Sequence, residues 1–270
     1  MKNTKLIRWG CIVGLIFSSI INVAHAELIN TIAKVKPSIM IVGYYKSTNS
    51  PRFTLRGSGF VAVSGNLGIT NAHVLLGPAE DSSDSDLVVQ VRGPKGELQM
   101  RQATVLELDR LHDLALLRFA GDAVPFLALR DSSTVREGQS VALMGFPIGG
   151  ALGFSPVTHR AMVSSITPIV LPAASGQLLS EKSIRSIRDG SFDIFQLDGT
   201  AYPGNSGGPL FDADSGEVVG IVNMVFVKGT KESAISQPSG ISYAIPSNYI
   251  QQLLQRQKFQ LRSLPFALTA

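Results

Sequence analysis

Ser206 stands in Tyr202-Pro203-Gly204-Asn205-Ser206-Gly207-Gly208-Pro209-Leu210, a loop followed by the strand-like run Val218 to Val222. Glycine on both sides lets the backbone take turns that a Cβ forbids, and lets amide N–H groups approach a bound carbonyl. A serine hydroxyl is a poor nucleophile until a base takes its proton. Acyl transfer at this serine therefore needs a histidine, and a carboxylate to orient it, from elsewhere in the chain.

Beyond residue 26 the histidines are His73, His112 and His159. His73 closes the apolar run Gly68-Ile69-Thr70-Asn71-Ala72-His73, which reads as a strand end. A lone histidine there is usually structural, so its chemistry depends on a partner. Asp113 is the carboxylate that fits: it opens the apolar run Leu114-Ala115-Leu116-Leu117. A carboxylate at the edge of an apolar core is costly to bury unless something pairs with it, and an imidazole N–H can. His112 would point to the opposite side in an extended segment and reads as exposed. His159 has no partner that the sequence names. The acidic loop Glu80 to Asp86 lacks the glycine and terminal glutamate of an EF-hand loop and reads as solvated. No metal and no cofactor is expected.

The elements that must position these residues are mostly strands. Glu27 to Lys36 reads as a short helix that Pro37 stops. Then come strand-like runs at Ile39–Tyr45, Thr54–Val63, Ile69–His73, Leu87–Arg92, Met100–Leu108 and Leu114–Arg118. A second series follows Pro125: Ser140–Gly145, Thr158–Ile166, Phe192–Leu197, Pro209–Phe211, Val218–Val227 and Ile241–Ile245. Pro246-Ser247-Asn248 opens a closing helix through about Gln257. Many short strands with little helix predict an all-β barrel or sandwich. Two packed sub-domains should meet near Gly121 to Ser133. The long segment Leu171 to Asp189, with Lys182, Arg185 and Arg188, reads as a solvated basic surface loop.

The first 26 residues carry an address. Lys2, Lys5 and Arg8 form a positive start, Gly10 to Ile21 is apolar apart from Ser18 and Ser19, and Ala24-His25-Ala26 offers small residues for cleavage. This is the pattern of a secretory signal. The apolar run is about 12 residues, short of the ~20 that a spanning helix needs. Cleavage after Ala26 would leave no stable membrane anchor and remove Cys11, so an exported, periplasmic or secreted protein without disulfides is expected. It would also take three of the 24 basic residues and no acidic ones. That leaves 21 against 20, a charge of +1 in place of +4. Net charge gives no case for nucleic-acid binding.

The order His73, Asp113, Ser206 is the chymotrypsin order. The chain resembles the trypsin-like serine proteases, and within them the HtrA/Deg branch. The matching segments are Gly57-Ser58-Gly59-Phe60, Thr70-Asn71-Ala72-His73-Val74, Asp113-Leu114-Ala115-Leu116-Leu117, Gly145-Phe146-Pro147, Gly204-Asn205-Ser206-Gly207-Gly208-Pro209-Leu210 and Tyr243-Ala244-Ile245-Pro246-Ser247. They run in family order over about Val35 to Leu254.

The resemblance implies two packed six-stranded β-barrels, chymotrypsin-like, with a C-terminal helix and the site between the barrels. Residues 27–125 would form the first barrel, 126–258 the second barrel and closing helix, and 259–270 a tail. His73 would act as base, Asp113 would orient it and Ser206 would be the nucleophile. Gly204, Asn205 and Ser206 would form the oxyanion hole, its donors the N–H groups of Gly204 and Ser206. Thr200 and Asn223 are the candidate S1 residues. No acidic residue stands at Thr200, six positions before the nucleophile, so a small or medium apolar P1 is expected; Asp198 lies nearby. HtrA proteins usually carry PDZ domains after the protease; a protease domain without one is the expectation here.

The partners implied are protein or peptide substrates, with homo-oligomers of the kind that family members form near the start of the mature domain. Tyr44 and Tyr45 stand there, although two tyrosines in a strand usually pack in the ordinary way. The function expected is an exported serine endopeptidase acting on unfolded or exposed segments. The alternative is a binding or chaperone-like protein on the same scaffold with its site held inactive. An esterase would use the same acyl chemistry.

Overall fold

A computed structural model describes residues 23–76, 85–147, 153–169, 192–223 and 240–263. Helix α1 spans Val23–Val35, and Pro37 sits in a single 3-10 turn after it, Lys36–Ser38. The strands are β1 (Ile39–Tyr45), β2 (Phe53–Val61), β3 (Leu67–Thr70), β4 (Asp86–Arg92), β5 (Leu98–Asp109) and β6 (Leu114–Phe119). Then follow β7 (Ser140–Gly145), β8 (Val157–Ile169), β9 (Phe192–Asp198), β10 (Pro209–Asp212), β11 (Val218–Asn223) and β12 (Ile241–Pro246). A one-turn helix α2 (Ala72–Leu75) follows β3, and α3 (Ser247–Ser263) closes the described chain. The signal-like residues 1–22, most of the acidic loop, the basic segment Leu171 to Asp189 and residues 224–239 lie outside the described residues.

The strands close into two barrels, in the order β1-β2-β3-β6-β5-β4 and β10-β11-β12-β9-β8-β7. Neighbouring strands pair antiparallel, and bulges fall at Val42/Gly43 in β1, Val105/Glu107 in β5, Val163/Ser165 in β8 and Leu210/Phe211 in β10. A bulge adds local twist and bends the strand, which so small a closed sheet needs. Of the two architectures expected from strand pattern alone, barrel or sandwich, the chain forms barrels.

Continuous apolar runs replace simple alternation because both faces of several strands are covered. In β1, Met40 and Val42 join the interior of the first barrel with Val61, Val89 and Leu117. Ile39 and Ile41 face the other way, into a cluster with Phe60, Leu116, Phe146, Phe211 and Ile245. That cluster draws on both barrels and on Ile250 and Leu253 of α3. In β11, Val219 and Val222 fill the second barrel while Val218 and Ile221 join the shared cluster. Helix α1 precedes the first barrel in sequence but docks on the second. Thr31 Oγ1 donates to the Asp214 carbonyl (2.9 Å) and Lys34 Nζ to that of Ser215 (3.0 Å).

The tight β5–β6 turn is clamped by α3. Asp109 accepts from the His112 backbone N–H (3.1 Å), from His112 Nδ1 (2.9 Å) and from Arg256 Nη2. The His112 ring stacks on Tyr249 at 4.3 Å, and Phe192 meets it edge-on at 4.9 Å. His112 was expected to be exposed; its side chain is 12% exposed. The reason is local: residues 110–113 form a turn, so strand alternation does not apply there.

Burial by itself would raise the pKa of Asp109. The hydrogen bonds from His112 and Arg256 outweigh it and hold the carboxyl well below the usual carboxylate range. A folded-state pKa below the unfolded one stabilises the fold above about pH 4, and the contribution is lost as pH falls through the folded value. Asp109→Asn is expected to lower stability near neutral pH by about 1–3 kcal/mol. It should also flatten the fall in stability below about pH 4. Urea titrations at a series of pH values measure both effects.

Candidate active site

Asp113 occupies the last position of the β5–β6 turn with φ 51°, in the left-handed region that Asp tolerates better than most residues. It is 7% exposed. Its Oδ1 accepts the His73 backbone N–H (2.8 Å), and its Oδ2 accepts from His73 Nδ1 (2.5 Å) and Asn223 Nδ2 (2.7 Å). Its backbone carbonyl takes Ala72 N–H (3.1 Å) and Asn71 Nδ2 (3.0 Å).

These bonds explain a departure from the sequence expectation. His73 does not end a strand. β3 stops at Thr70, Asn71 stays extended, and His73 lies in the one-turn helix α2. The turn brings both the N–H and the ring of His73 onto one carboxylate. Nδ1 faces a carboxylate oxygen and so acts as donor, which leaves the lone pair on Nε2. The His73 side chain is 32% exposed, open enough to meet a substrate.

Ser206 sits between two anchored turns. Asn205 N–H donates to the Tyr202 carbonyl (2.9 Å), closing the turn Tyr202-Pro203-Gly204-Asn205. Pro203 fixes its own φ near −65°, and Gly204 has φ 102°. Proline at the second position and positive φ at the third define a type II turn. Gly208 N–H then donates to the Asn205 carbonyl (2.9 Å) and Gly207 N–H to that of Val222 (3.0 Å). The Gly204 carbonyl accepts from Ser58 Oγ (2.6 Å) and the Ser206 carbonyl from Ser58 N–H (2.8 Å). From Gly204 to Gly208, among the described residues, two N–H groups donate to nothing: those of Gly204 and Ser206.

Ser206 is thereby fixed against the first barrel. Gly57 marks how close the approach is: a Cβ there would lie 2.7 Å from Val74 Cγ2, next to His73, and 3.0 Å from the Ser206 carbonyl oxygen. Among the described residues no hydrogen bond joins Ser206 Oγ to His73. Such contacts are often long before substrate binds.

The remaining candidates fall as follows. Asn205 is fully buried and neither polar atom of its side chain has a described partner, so its backbone shapes the turn. Thr200 is half-buried beyond the end of β9, beside Gly199, whose N–H donates to the Gly240 carbonyl (2.9 Å). Asp198 is exposed. Asn223, expected near S1, is fully buried with its side-chain amide on Asp113. The sequence signal for that role is a single amide closing the apolar run Val218 to Val222. His159 packs its ring 5.8 Å from that of Tyr202, and burial lowers its pKa. Tyr44 is half-buried, its hydroxyl donating to the Leu75 carbonyl (2.9 Å).

The family model described as trypsin-like peptidase domain matches residues 57–221. Among curated proteins, the mitochondrial serine protease HTRA2 of Drosophila pseudoobscura pseudoobscura is 31% identical over 209 residues, which is 77% of this chain and 40% of that protein. The same protein of Drosophila persimilis matches over the same shares at 31% identity. The chain thus spans about two fifths of the length of these relatives. Among solved structures, Deg5 superimposes with a TM-score of 0.61 at 23% identity, over 84% of this chain and 92% of that one. The HtrA-type protease AlgW with tripeptide gives 0.58 at 23% identity, over 84% of this chain and 62% of that one. At such identities the structures speak for the fold, and the family model and the HTRA2 relatives for descent. The chain belongs to the trypsin-like peptidase family, as an HtrA-like member with two chymotrypsin-like barrels.

Proposed function

We propose that the chain is an exported serine endopeptidase that cleaves unfolded or exposed protein segments through His73, Asp113 and Ser206. In this reading His73 Nε2 takes the proton of Ser206 as Oγ attacks the scissile carbonyl carbon. The tetrahedral oxyanion lies between the N–H groups of Gly204 and Ser206. As it collapses the C–N bond breaks, and Nε2 gives its proton to the departing amine. Water, deprotonated by His73, then attacks the acyl-enzyme and frees Ser206. Asp113 holds the tautomer of His73 and stabilises its charged form.

The observation that carries this reading is the pair of unpartnered N–H groups at Gly204 and Ser206. A backbone donor without a protein partner is open to a ligand or to water. Two left open beside a serine, with the peptides between and after them anchored, suit a developing negative charge; one such donor is typically worth about 3–4 kcal/mol. The type II turn also supports a competent site. A type I turn would rotate the Pro203–Gly204 peptide by roughly half a turn and withdraw the Gly204 N–H. The inactive, binding-protein alternative would need that rotation.

Export rests on the signal pattern of residues 1–26, with the mature chain starting at Glu27. Residues 27–125 and 126–258 would be the barrel units and 259–270 a tail, into which α3 runs as far as Ser263. A small or medium apolar P1 follows from the uncharged Thr200 and the exposed Asp198. Homo-oligomers are part of the same proposal.

Purified mature protein should hydrolyse an unfolded protein such as reduced casein and react with a fluorophosphonate at Ser206. Ser206→Ala and His73→Ala should each lower kcat by about 10⁴-fold or more. Wild-type protein inert toward unfolded substrates and the probe alike would overturn the reading. Asn223→Ala should leave Asp113 one donor short and lower kcat by about tenfold with little change in KM, a loss of about 1.4 kcal/mol. Steady-state kinetics on a peptide substrate reads both constants.

A further inference from the structure

We propose that Ser58 is a positioning residue that sets the oxyanion donors of the second barrel against His73 of the first; this rests on the peptidase reading above. Ser58 is fully buried in β2, and each of its polar groups is engaged. Its N–H donates to the Ser206 carbonyl (2.8 Å) and its hydroxyl donates to the Gly204 carbonyl (2.6 Å). The same hydroxyl oxygen accepts from Phe146 N–H (2.9 Å), just beyond β7. Its backbone carbonyl accepts from Thr70 Oγ1 (2.7 Å), three residues before His73.

The strand pairing explains why these groups are available. β1 pairs with β2 through Ser58, opposite Ile41. On the other side, β3 pairs with β2 only at Phe60 and Val61. The N–H and C=O of Ser58 that face away from β1 therefore have no strand partner. They reach the serine turn on one side and Thr70 on the other. No room is wasted at the contact: a Cβ on Gly207 would lie 2.1 Å from the Ser58 carbonyl oxygen, and one on Gly145 would lie 2.7 Å from Ser58 Oγ.

The two open donors alternate with anchored peptides. The Gly204–Asn205 peptide is held at its carbonyl by Ser58 Oγ and at its N–H by Tyr202. The Ser206–Gly207 peptide is held at its carbonyl by Ser58 N–H and at its N–H by Val222. One residue thus anchors the carbonyls that flank both open N–H groups. Through Thr70 it ties them to the segment that carries the base. Removing the hydroxyl would leave the Gly204 carbonyl and Phe146 N–H without their partner in a buried place. The turn would move to find others, and small displacements of donors lower rates steeply.

Ser58→Ala is the test, read on a peptide substrate together with inhibition by a peptidyl trifluoromethyl ketone, whose hemiketal oxyanion occupies the hole. The expected result is a fall in kcat of about 10–100-fold with KM within about twofold, and a matching loss of ketone affinity. A merely structural role would lower thermal stability without that match between kcat and ketone binding. Unchanged kcat, or a loss confined to KM, would overturn the proposal. If Ser58→Ala does not fold, Ser58→Cys keeps the side chain with a weaker donor, and the same outcomes decide. Wild-type protein inert toward substrate and ketone would overturn the peptidase reading and this inference with it. Active wild-type protein with an indifferent Ser58 variant overturns this inference alone.

Discussion

A nearly buried carboxylate must be satisfied, and the site is arranged around satisfying one. Asp113 takes two donors from His73 and a third from Asn223, and its carbonyl takes two more from Asn71 and Ala72. A carboxylate left without such partners in this place would cost several kcal/mol. The requirement dictates local structure. β3 cannot simply run on, because an extended His73 could not present both its N–H and its ring to one side chain. It also joins the barrels, since Asn223 reaches Asp113 from β11.

Hydrogen bonds of this kind do not hold the barrels together. A neutral one contributes about 1 kcal/mol net and one to a charged group about 1.5–3 kcal/mol, but they are few beside the many large apolar side chains buried, each worth about 1.5–3 kcal/mol. The shared cluster of Ile39, Phe60, Leu116, Phe146, Phe211, Ile221, Ile245 and their neighbours therefore dominates cohesion. Apolar contact is nearly indifferent to small slides. The polar bonds at Asp113 and Ser58 are not, so they set the register of one barrel on the other. Helix α3 serves both purposes: Ile250 and Leu253 enter the shared cluster, while Tyr249 and Arg256 grip the turn that ends at Asp113.

Much of this was legible in the sequence, and the failures have physical causes. β1 and β7 fall at the bounds expected, because short apolar runs between turn residues leave little choice. Barrel against sandwich could not be decided from pattern, since both bury alternate faces; the family resemblance supplied the barrels. The neighbours of His73 are largely apolar or β-branched, and that local pattern points to a strand. The α2 turn comes instead from the demand of Asp113, forty residues away, which no local pattern carries. His112 departs from expectation for a related reason: a period of two does not hold inside a four-residue turn. Asn223 and Ser58 each look like ordinary strand residues until the partner barrel is in place, because the bonds Asn223 Nδ2 to Asp113 and Ser58 to Gly204, Ser206 and Phe146 all cross between barrels.

The serine turn shows why glycine alone does not make such a site. Gly204 permits the positive φ of the type II turn, and Gly207 permits its own φ of 86° against the Ser58 carbonyl. Freedom of that kind would equally permit other turns. What selects one is the alternation of held and open peptides: four bonds, to Ser58, Tyr202 and Val222, fix the Gly204 and Ser206 carbonyls and the N–H groups of Asn205 and Gly207, and among the described residues the N–H groups of Gly204 and Ser206 have no acceptor. Open donors are then a consequence of how fully everything around them is satisfied. Reactivity at Ser206 is thus tied to the polar bookkeeping of β2, β11 and the Tyr202 turn as closely as to the histidine beside it.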